Sequence, residues 1–122
     1  MSITDPTFLA FLELQRADYH RALSQRLAQI DLLWNQVLNH ESAAQALATL
    51  ERCAHSLAGS GATFGFAGVG SAARELELAV TPLLDTACAL TAGARSDINL
   101  AIRLLQRSLP RDAGHLGDQP QA

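Results

Sequence analysis

The stretch Leu47–Phe66, LATLERCAHSLAGSGATFGF, decides the fold of this chain because its apolar residues follow the period of a helix. Leucine and alanine recur three or four positions apart and form one stripe along a helical surface. The stripe consists of Leu47, Leu50, Ala54 and Leu57. Gly59 and Gly61 follow it and are expected to loosen the helix near its end. The stretch therefore predicts an amphipathic helix that leads into a turn rich in small residues.

A longer helical segment precedes this stretch. It begins at Asp5 and Pro6, which are an N-cap residue and a proline suited to the first helical position. Its apolar stripe is Phe8, Leu12, Tyr19, Leu23, Leu27, Ile30, Trp34 and Val37. The pattern runs to about Asn39, which is long for one globular helix. We therefore expect a short helix, a bend between about Leu14 and Tyr19, and a longer helix.

Two further helical segments follow the central stretch. The stripe of the third segment is Val69, Ala73, Leu76, Val80, Leu83 and Ala87. The stripe of the last segment is Ile98, Ile102, Leu105 and Leu109. Ser42 and Ser96 are the expected N-caps of the second and last helices, and Pro110 is the expected stop. Pro82 predicts a kink or a local break in the third helix.

These segments predict an all-α fold, an up-down four-helix bundle with a short additional N-terminal helix or helical extension. The length of 122 residues and an apolar fraction of 48% suit one domain with one core. We expect the bundle to cover residues 1–110. Residues 111–122 contain glycine, proline and polar residues, and we expect a flexible C-terminal tail or the start of a linker. The chain is then either a free-standing protein or the first module of a larger one.

Charge and cysteine content argue against several classes of function. The formal net charge is -3, all nine basic residues are arginines, and no basic stripe interleaved with aromatic residues suggests nucleic-acid binding. No apolar run approaches the roughly 18 residues of a membrane span. No signal peptide is visible, so we expect a cytoplasmic location. Cys53 and Cys88 lack ligand spacing and are expected to be free buried thiols.

His55 is the candidate functional residue of the second helix. It follows the core position Ala54 by one residue, about 100° around the helix, and should be partly packed and partly exposed. One turn away on the same side lie Glu51, Arg52, Ala58 and Gly59. The downstream part of this patch has little side-chain bulk, so a partner protein can approach the imidazole. Gly59 costs about 1 kcal/mol relative to alanine in a helix, so it either permits that approach or ends the helix.

Glu77 occupies the corresponding flank of the third helix, one residue beyond the core position Leu76. If the second and third helices pack antiparallel around a turn near residues 63–68, Glu77 and His55 lie at similar heights. A carboxylate that accepts a hydrogen bond from one imidazole nitrogen fixes the tautomer and leaves the lone pair of the other nitrogen free. It also stabilises the positive charge that develops when the ring acts as a nucleophile. The spacing thus predicts a histidine–glutamate pair.

At these residues the sequence resembles the histidine-containing phosphotransfer family. The family pattern is His-x-Leu-Lys-Gly followed by a glycine-rich run, and this chain reads HSLAGSGATFGF from His55 to Phe66. The similarity is closest to the phosphoacceptor domains of chemotaxis-type histidine kinases. It implies that His55 is the phosphoacceptor, that Glu77 orients it, and that Gly59 keeps a docking face open. The docking surface is expected at Arg52, Ala58, Gly59 and Ala62.

One position departs from the family pattern. The family often has a lysine three residues after the histidine, where it can pair with phosphoryl oxygens, and this chain has Ala58 there. Arg52 is one candidate for a replacement phosphate contact. Arg74 is the other, since it lies where the chemotaxis-type domains carry a second histidine and is three residues before Glu77. Alternatively, the phosphoryl group is less stabilised here and leaves more readily.

The resemblance implies a phosphoryl carrier in a two-component phosphorelay. The phosphoryl group on His55 passes between receiver-domain aspartates of response regulators, or comes from a histidine kinase or hybrid kinase system. The receiver domain supplies Mg²⁺, so we expect no cofactor, no ATP site and no enzymatic activity in this chain, which should be a monomer. The alternative is a helical-bundle interaction module that is never phosphorylated.

Two other site types find little support in the sequence. Gly59 and Gly61 are not preceded by a strand, and no Gly-Lys-Ser or Gly-Lys-Thr follows, so a phosphate-binding loop of a nucleotide enzyme is not expected. A metal site needs clustered ligands, and the four histidines are scattered over different segments. They are His20, His40, His55 and His115. We therefore predict no metal site.

Overall fold

The computed structural model describes residues 5–84 and 90–109 of the chain. Within these ranges the chain forms four helices and no strand, as the all-α prediction required. The helices are α1 (Pro6–Leu38), α2 (Ala43–Thr63), α3 (Ala67–Leu84) and α4 (Ala92–Ser108). The predictions for Ala87, Cys88, Pro110 and the tail at 111–122 lie outside the described residues. None of the four described helices is long and apolar enough to cross a membrane.

Contacts between helices show the up-down arrangement. Tyr19 and Arg26 of α1 contact Ser60 and Ser56 of α2, in that order, so advancing along α1 means moving back along α2. The most extensive packing is between α2 and α3, followed by α3 with α4 and α1 with α2. A smaller contact between α1 and α4 closes the bundle. The predicted four-helix bundle is confirmed.

The core lies between the helices and is built from the predicted apolar stripes. Its largest fully buried side chains are Leu23, Ile30, Leu50, Leu57, Leu76, Ile98 and Leu105, with Val69 and Val80. No polar or charged residue of the described ranges is buried. Burial of each large aliphatic side chain contributes about 1.5–3 kcal/mol, so these stripes supply the main driving force for folding.

The first segment is one continuous helix, so the expected division into a short helix and a longer one between Leu14 and Tyr19 is wrong. The residues in between include neither glycine nor proline, so nothing in the backbone interrupts the helix. The expected place of Leu12 in the core is also wrong, because Leu12 is 41% exposed and burial along α1 begins at Leu23. With 33 residues, α1 exceeds the 21 residues of α2, so its first turns form a helical extension without a full set of neighbours.

Two of the predicted helix caps differ in the structure. Ser42 occupies the N-cap position of α2 but has a left-handed backbone (φ 50°), and its side chain makes no capping hydrogen bond. The predicted cap of α4 at Ser96 is wrong. The Thr91 side chain accepts a hydrogen bond from the Ala94 backbone N–H at 3.0 Å, so α4 begins at Ala92. Thr91 precedes Ser96 in the chain and already provides a side-chain acceptor for the first turn. The residues from Ala92 onward are helical, so the helix starts before Ser96.

The glycines of α2 do not loosen the helix, which continues to Thr63. Gly61 instead lies against α3. A Cβ added at Gly61 would be 2.7 Å from the Gly70 backbone nitrogen and 2.9 Å from its Cα. A Cβ added at Gly59 would meet nothing within 4 Å. The break expected at Pro82 is not observed either, since α3 includes Pro82 and extends to Leu84.

Replacing Gly59 or Gly61 by alanine adds one methyl group to α2, and the two substitutions should change the stability of the fold in opposite directions. Gly61→Ala places the methyl against the backbone of Gly70, and overpacking of this kind costs about 1–3 kcal/mol. That cost exceeds the gain in helix propensity of about 1 kcal/mol from replacing glycine by alanine. Gly59→Ala receives the same gain without the clash. We expect Gly61→Ala to lower the free energy of unfolding in urea and Gly59→Ala to leave it equal or higher.

Equal stability of the two variants would contradict this assignment of the α2–α3 contact.

Candidate functional site

The imidazole of His55 is exposed on α2 although its neighbours in sequence support the core. The side chain is 73% exposed, whereas Ala54 and Leu57 are fully buried. The helix period produces this difference, because His55 is rotated by about 100° from Ala54. The ring therefore lies at the edge of the α2–α3 pair, where a second protein can reach it.

Glu77 lies opposite His55 on α3, and the predicted facing of the two residues is observed. The Nδ1 atom of His55 and the Oε2 atom of Glu77 are 2.7 Å apart. The Glu77 side chain is only 17% exposed, and it follows the fully buried Leu76. A carboxylate oxygen accepts and a ring N–H donates, so this contact assigns the proton to Nδ1 and the lone pair of the neutral ring to Nε2. The geometry provides an oriented imidazole with its nucleophilic nitrogen free.

Small residues adjoin the imidazole on its downstream side. Ala58 is half-buried, and Gly59 and Ala62 are exposed. Because α2 continues through Gly59, the alternative that this glycine ends the helix does not hold. Packing does not require glycine there either, since a Cβ would meet no atom within 4 Å. The surface beside His55 is open because of its small side chains.

The two predicted phosphate contacts are not held against His55. The Nη2 atom of Arg52 donates to Thr49 Oγ1 at 3.2 Å, which directs this guanidinium toward the α1 side of α2. Arg74 is exposed, and within the described residues it makes no hydrogen bond or ion pair, including with Glu77. Both side chains remain free to move toward a ligand on the surface.

Arg26 is a neighbour of the site that the sequence did not reveal. Its Nη1 atom lies 3.4 Å from Ser56 Oγ, next to His55 in the chain. A cleft of about 250 Å³ lies between α1 and α2, with Arg26 on the α1 side and Arg52 on the α2 side. The pKa of the Cys53 thiol in this cleft is raised by burial, and both arginines act to lower it. Only the pairing of α1 with α2 brings these two guanidiniums together.

Cys53 itself is free, as predicted, but half-buried rather than fully buried.

An aromatic cluster fixes the turn that follows α2. The Tyr19 ring stacks on Phe64 with 4.7 Å between centroids and tilts against Phe66 at 5.3 Å. Its hydroxyl lies 2.7 Å from Ser60 Oγ, and Arg16 Nε donates to the Phe64 carbonyl at 3.2 Å. The last residues of the quoted motif thus pack against α1. The simple core role expected for Tyr19 is incomplete, since its side chain is half-buried and hydrogen-bonded.

A carboxylate on α2 completes a group of three potential ligands. Glu51, one turn before His55, is half-buried, and its carboxylate joins the His55 and Glu77 side chains. The ligand atoms of the three residues all lie within 4.8 Å of one another. The four histidines are scattered along the sequence, so their spacing gives no sign of this mixed group, which only the pairing of α2 with α3 assembles.

Comparison with known families identifies the fold and its general function. A family model described as the Hpt domain matches residues 15–111, which is well over half of the chain. The chain belongs to the Hpt domain family. Hpt domains act in histidine phosphotransfer and interact with kinases and receiver domains. The predicted family is confirmed, and the match begins after the first turns of α1.

Comparison with curated proteins gave no match, and neither did comparison with solved structures.

The hydrogen bond to Glu77 predicts the tautomer of the Hpt histidine. Neutral histidine in water favours the proton on Nε2, whereas the Glu77 carboxylate favours it on Nδ1. We expect long-range ¹H–¹⁵N correlation spectra to show His55 in the Nδ1–H form in the wild type. Glu77→Ala should return the ring to the Nε2–H form, and Glu75→Ala, which removes an exposed carboxylate from the same helix, should not. An Nε2–H ring in the wild type would disprove the orientation.

Proposed function

We propose that this Hpt domain carries a phosphoryl group on His55 within a two-component phosphorelay. The group passes between receiver-domain aspartates of response regulators, or arrives from a histidine kinase or hybrid kinase. The observation that supports this role is the 2.7 Å contact between the exposed imidazole and the mostly buried carboxylate of Glu77. Exposure allows a partner to reach Nε2, and the carboxylate holds the ring in one orientation.

The transfer is a displacement at phosphorus. The Nε2 lone pair of His55 attacks the phosphorus atom of an aspartyl phosphate, and an N–P bond forms. The bond between phosphorus and the aspartate oxygen breaks, and its electron pair leaves with the carboxylate of the partner. The ring becomes positively charged while Nδ1 keeps its proton, and the Glu77 carboxylate stabilises this charge through the hydrogen bond. Reversal of these steps at a second aspartate passes the group onward.

The partner provides what the Hpt domain lacks in this proposal. The receiver domain supplies Mg²⁺ and the charges that stabilise the phosphoryl group in the transition state. The Hpt domain needs no cofactor or ATP site of its own and acts as a monomer in the cytoplasm. Its contribution is the positioned nucleophile and a docking surface beside it. That surface consists of Arg52, Ala58, Gly59 and Ala62.

Arginines take over the role of the lysine that Ala58 replaces. Arg26 and Arg52 line the cleft beside Ser56, the residue after His55. Arg52 is therefore part of the docking surface, and Arg26 adds a second positive charge beside it. Guanidinium groups bind phosphoryl and carboxylate oxygens through paired hydrogen bonds. Arg74 is the alternative cation, since it lies on α3 one turn before Glu77. These charges attract the acidic phosphorylated site of a partner.

Phosphoryl transfer from a labelled, aspartyl-phosphorylated receiver domain tests the function directly. We expect the wild type to acquire label that is labile in acid and stable in base, as a phosphoramidate is. His55→Ala should acquire none, and His40→Asn, which replaces another exposed histidine, should be labelled normally. Glu77→Ala should slow labelling by about ten- to hundredfold without abolishing it, because the nucleophile remains but loses its orientation.

A wild type that stays unlabelled beside active receivers would favour the alternative of an interaction module. Equal rates for Glu77→Ala and the wild type would remove Glu77 from the mechanism.

The proposed role of the arginines predicts that each single substitution lowers the rate of phosphoryl transfer from the receiver domain without abolishing it. Arg26→Ala and Arg52→Ala should each lower the transfer rate by about two- to fivefold, the size expected of exposed ion pairs worth up to about 1 kcal/mol. The effect should shrink at high salt because exposed charges are screened. Arg103→Ala makes the same change of charge on α4 and should leave the rate unchanged. A reduced rate for Arg74→Ala alone would assign the role to Arg74.

A further inference from the structure

Glu51 is a charged neighbour of His55 that the phosphoryl-carrier mechanism does not use. Its carboxylate is half-buried one turn before His55, and among the described residues it has no hydrogen-bond or ion-pair partner. A negative charge at this position repels an incoming phosphoryl group, so Glu51 is unfavourable to that step. Its position needs a different explanation.

The three side chains form a ligand set of mixed chemistry. Glu51 and His55 are four residues apart on α2 and therefore share one helix face, and Glu77 approaches from α3. One imidazole nitrogen and two carboxylate oxygens lie within 4.8 Å of one another. Two helices thus supply three ligands that converge on one point at the surface.

One nitrogen and two oxygen ligands suit a four-coordinate zinc ion whose fourth coordination position is not filled by the protein. Zn²⁺ binds imidazole nitrogen and carboxylate oxygen at about 2.0–2.2 Å, which places tetrahedral ligands about 3.3–3.6 Å apart. The most distant ligand atoms, up to 4.8 Å apart, must approach by about an ångström. The His55 and Glu77 atoms, 2.7 Å apart in their hydrogen bond, must separate by about 0.6–0.9 Å to admit the ion. The half-exposed Glu51 and the 73% exposed His55 are free to make these movements. A water molecule would complete the tetrahedron around the bound ion. Mg²⁺ prefers six oxygen ligands in strict octahedral geometry and does not suit this set.

We propose that Glu51, His55 and Glu77 form a binding site for Zn²⁺, and that the bound ion prevents phosphorylation of His55. A neutral imidazole has one nitrogen lone pair, since its other nitrogen carries a proton. The nitrogen beside Glu77 is Nδ1, so a metal ion held by both residues replaces the Nδ1 proton and the hydrogen bond to Glu77. The neutral ring then carries its proton on Nε2, which loses the lone pair that attacks phosphorus. The exclusion rests on the proposed carrier function, whereas zinc binding does not. The site makes the carrier sensitive to free zinc.

Zinc binding is tested by titrating Zn²⁺ alone into the metal-free full chain by isothermal titration calorimetry. We expect one ion per chain in the wild type. Glu51→Gln should weaken the affinity by at least about tenfold, since even outer-shell partners of a metal ligand contribute about ten- to hundredfold. His55→Ala should weaken it similarly, and Glu75→Gln, the matched change at an exposed carboxylate of α3, should bind as the wild type does.

Both ligand variants change exposed or half-exposed side chains, so we expect them to fold, and circular dichroism is the measurement that checks this. Wild-type affinity in Glu51→Gln or in His55→Ala would overturn the site.

Mutual exclusion is tested with phosphoramidate, a small phosphoryl donor that needs no partner protein. The nitrogen–phosphorus bond of the donor breaks, ammonia leaves, and the phosphoryl group bonds to His55. We expect Zn²⁺ to block labelling of the wild type, EDTA to restore it, and millimolar Mg²⁺ to have no effect. The zinc concentration for half-inhibition should be at least about tenfold higher in Glu51→Gln, following its weaker affinity.

Unchanged labelling of zinc-bound wild type would overturn the exclusion. If zinc-free wild type were labelled neither by phosphoramidate nor by a phosphorylated receiver domain, the carrier function and the exclusion would both be overturned. The affinities measured without a phosphoryl donor would still decide the metal site.

Discussion

The backbone contact between Gly61 of α2 and Gly70 of α3 sets the geometry on which the site depends. The two helices approach so closely there that a Cβ on Gly61 would lie 2.7 Å from the Gly70 nitrogen. His55 lies six residues before Gly61, and Glu77 lies seven residues after Gly70. At 1.5 Å per residue these offsets are about 9 and 10.5 Å along antiparallel helices, so the two side chains meet at one height. Any change of register would separate them.

The difference in exposure between the two partners shapes their chemistry. Glu77 is mostly shielded by the helix pair, so its carboxylate is kept for the imidazole, whereas His55 is open to partner proteins. A neutral imidazole has one nitrogen lone pair, which is on Nε2 while Nδ1 donates to Glu77 and on Nδ1 when a metal ion replaces that proton. In the two proposed roles of the site, a phosphoryl group and a metal ion compete for it, and Glu51 favours the cation over the anion by its charge. One carboxylate thus orients the ring, and the other influences what binds to it.

The supporting structure around the pair lies mainly on α1. The Tyr19 ring packs against the rings of Phe64 and Phe66, the two aromatic residues that follow α2. Its hydroxyl contacts Ser60 near the end of α2. Arg26, further along α1, reaches Ser56 beside the imidazole. The glycine-rich motif therefore combines two roles. Its first residues form the open surface near the histidine, and its last residues anchor the α2–α3 turn to the rest of the bundle.

The sequence by itself determined the helices, the family and the two central residues. Apolar spacing is a local property, so the stripes that contain Leu50, Leu76 and Ile98 were readable without knowledge of the fold. The same period placed His55 and Glu77 one residue past buried positions, and a single short turn between their helices made their meeting predictable.

Only the tertiary structure decided the features that depend on several helices at once. The approach of Arg26 to Ser56 follows from the pairing of α1 with α2, and no spacing within either helix encodes it. The inclusion of Glu51 with His55 and Glu77 depends on side-chain rotamers as well as on register. The continuity of α1 and the use of Thr91 as a cap were settled by competition between alternatives that local propensity ranks almost equally. Packing supplies the few kcal/mol that choose between such alternatives, and packing is a property of the whole bundle.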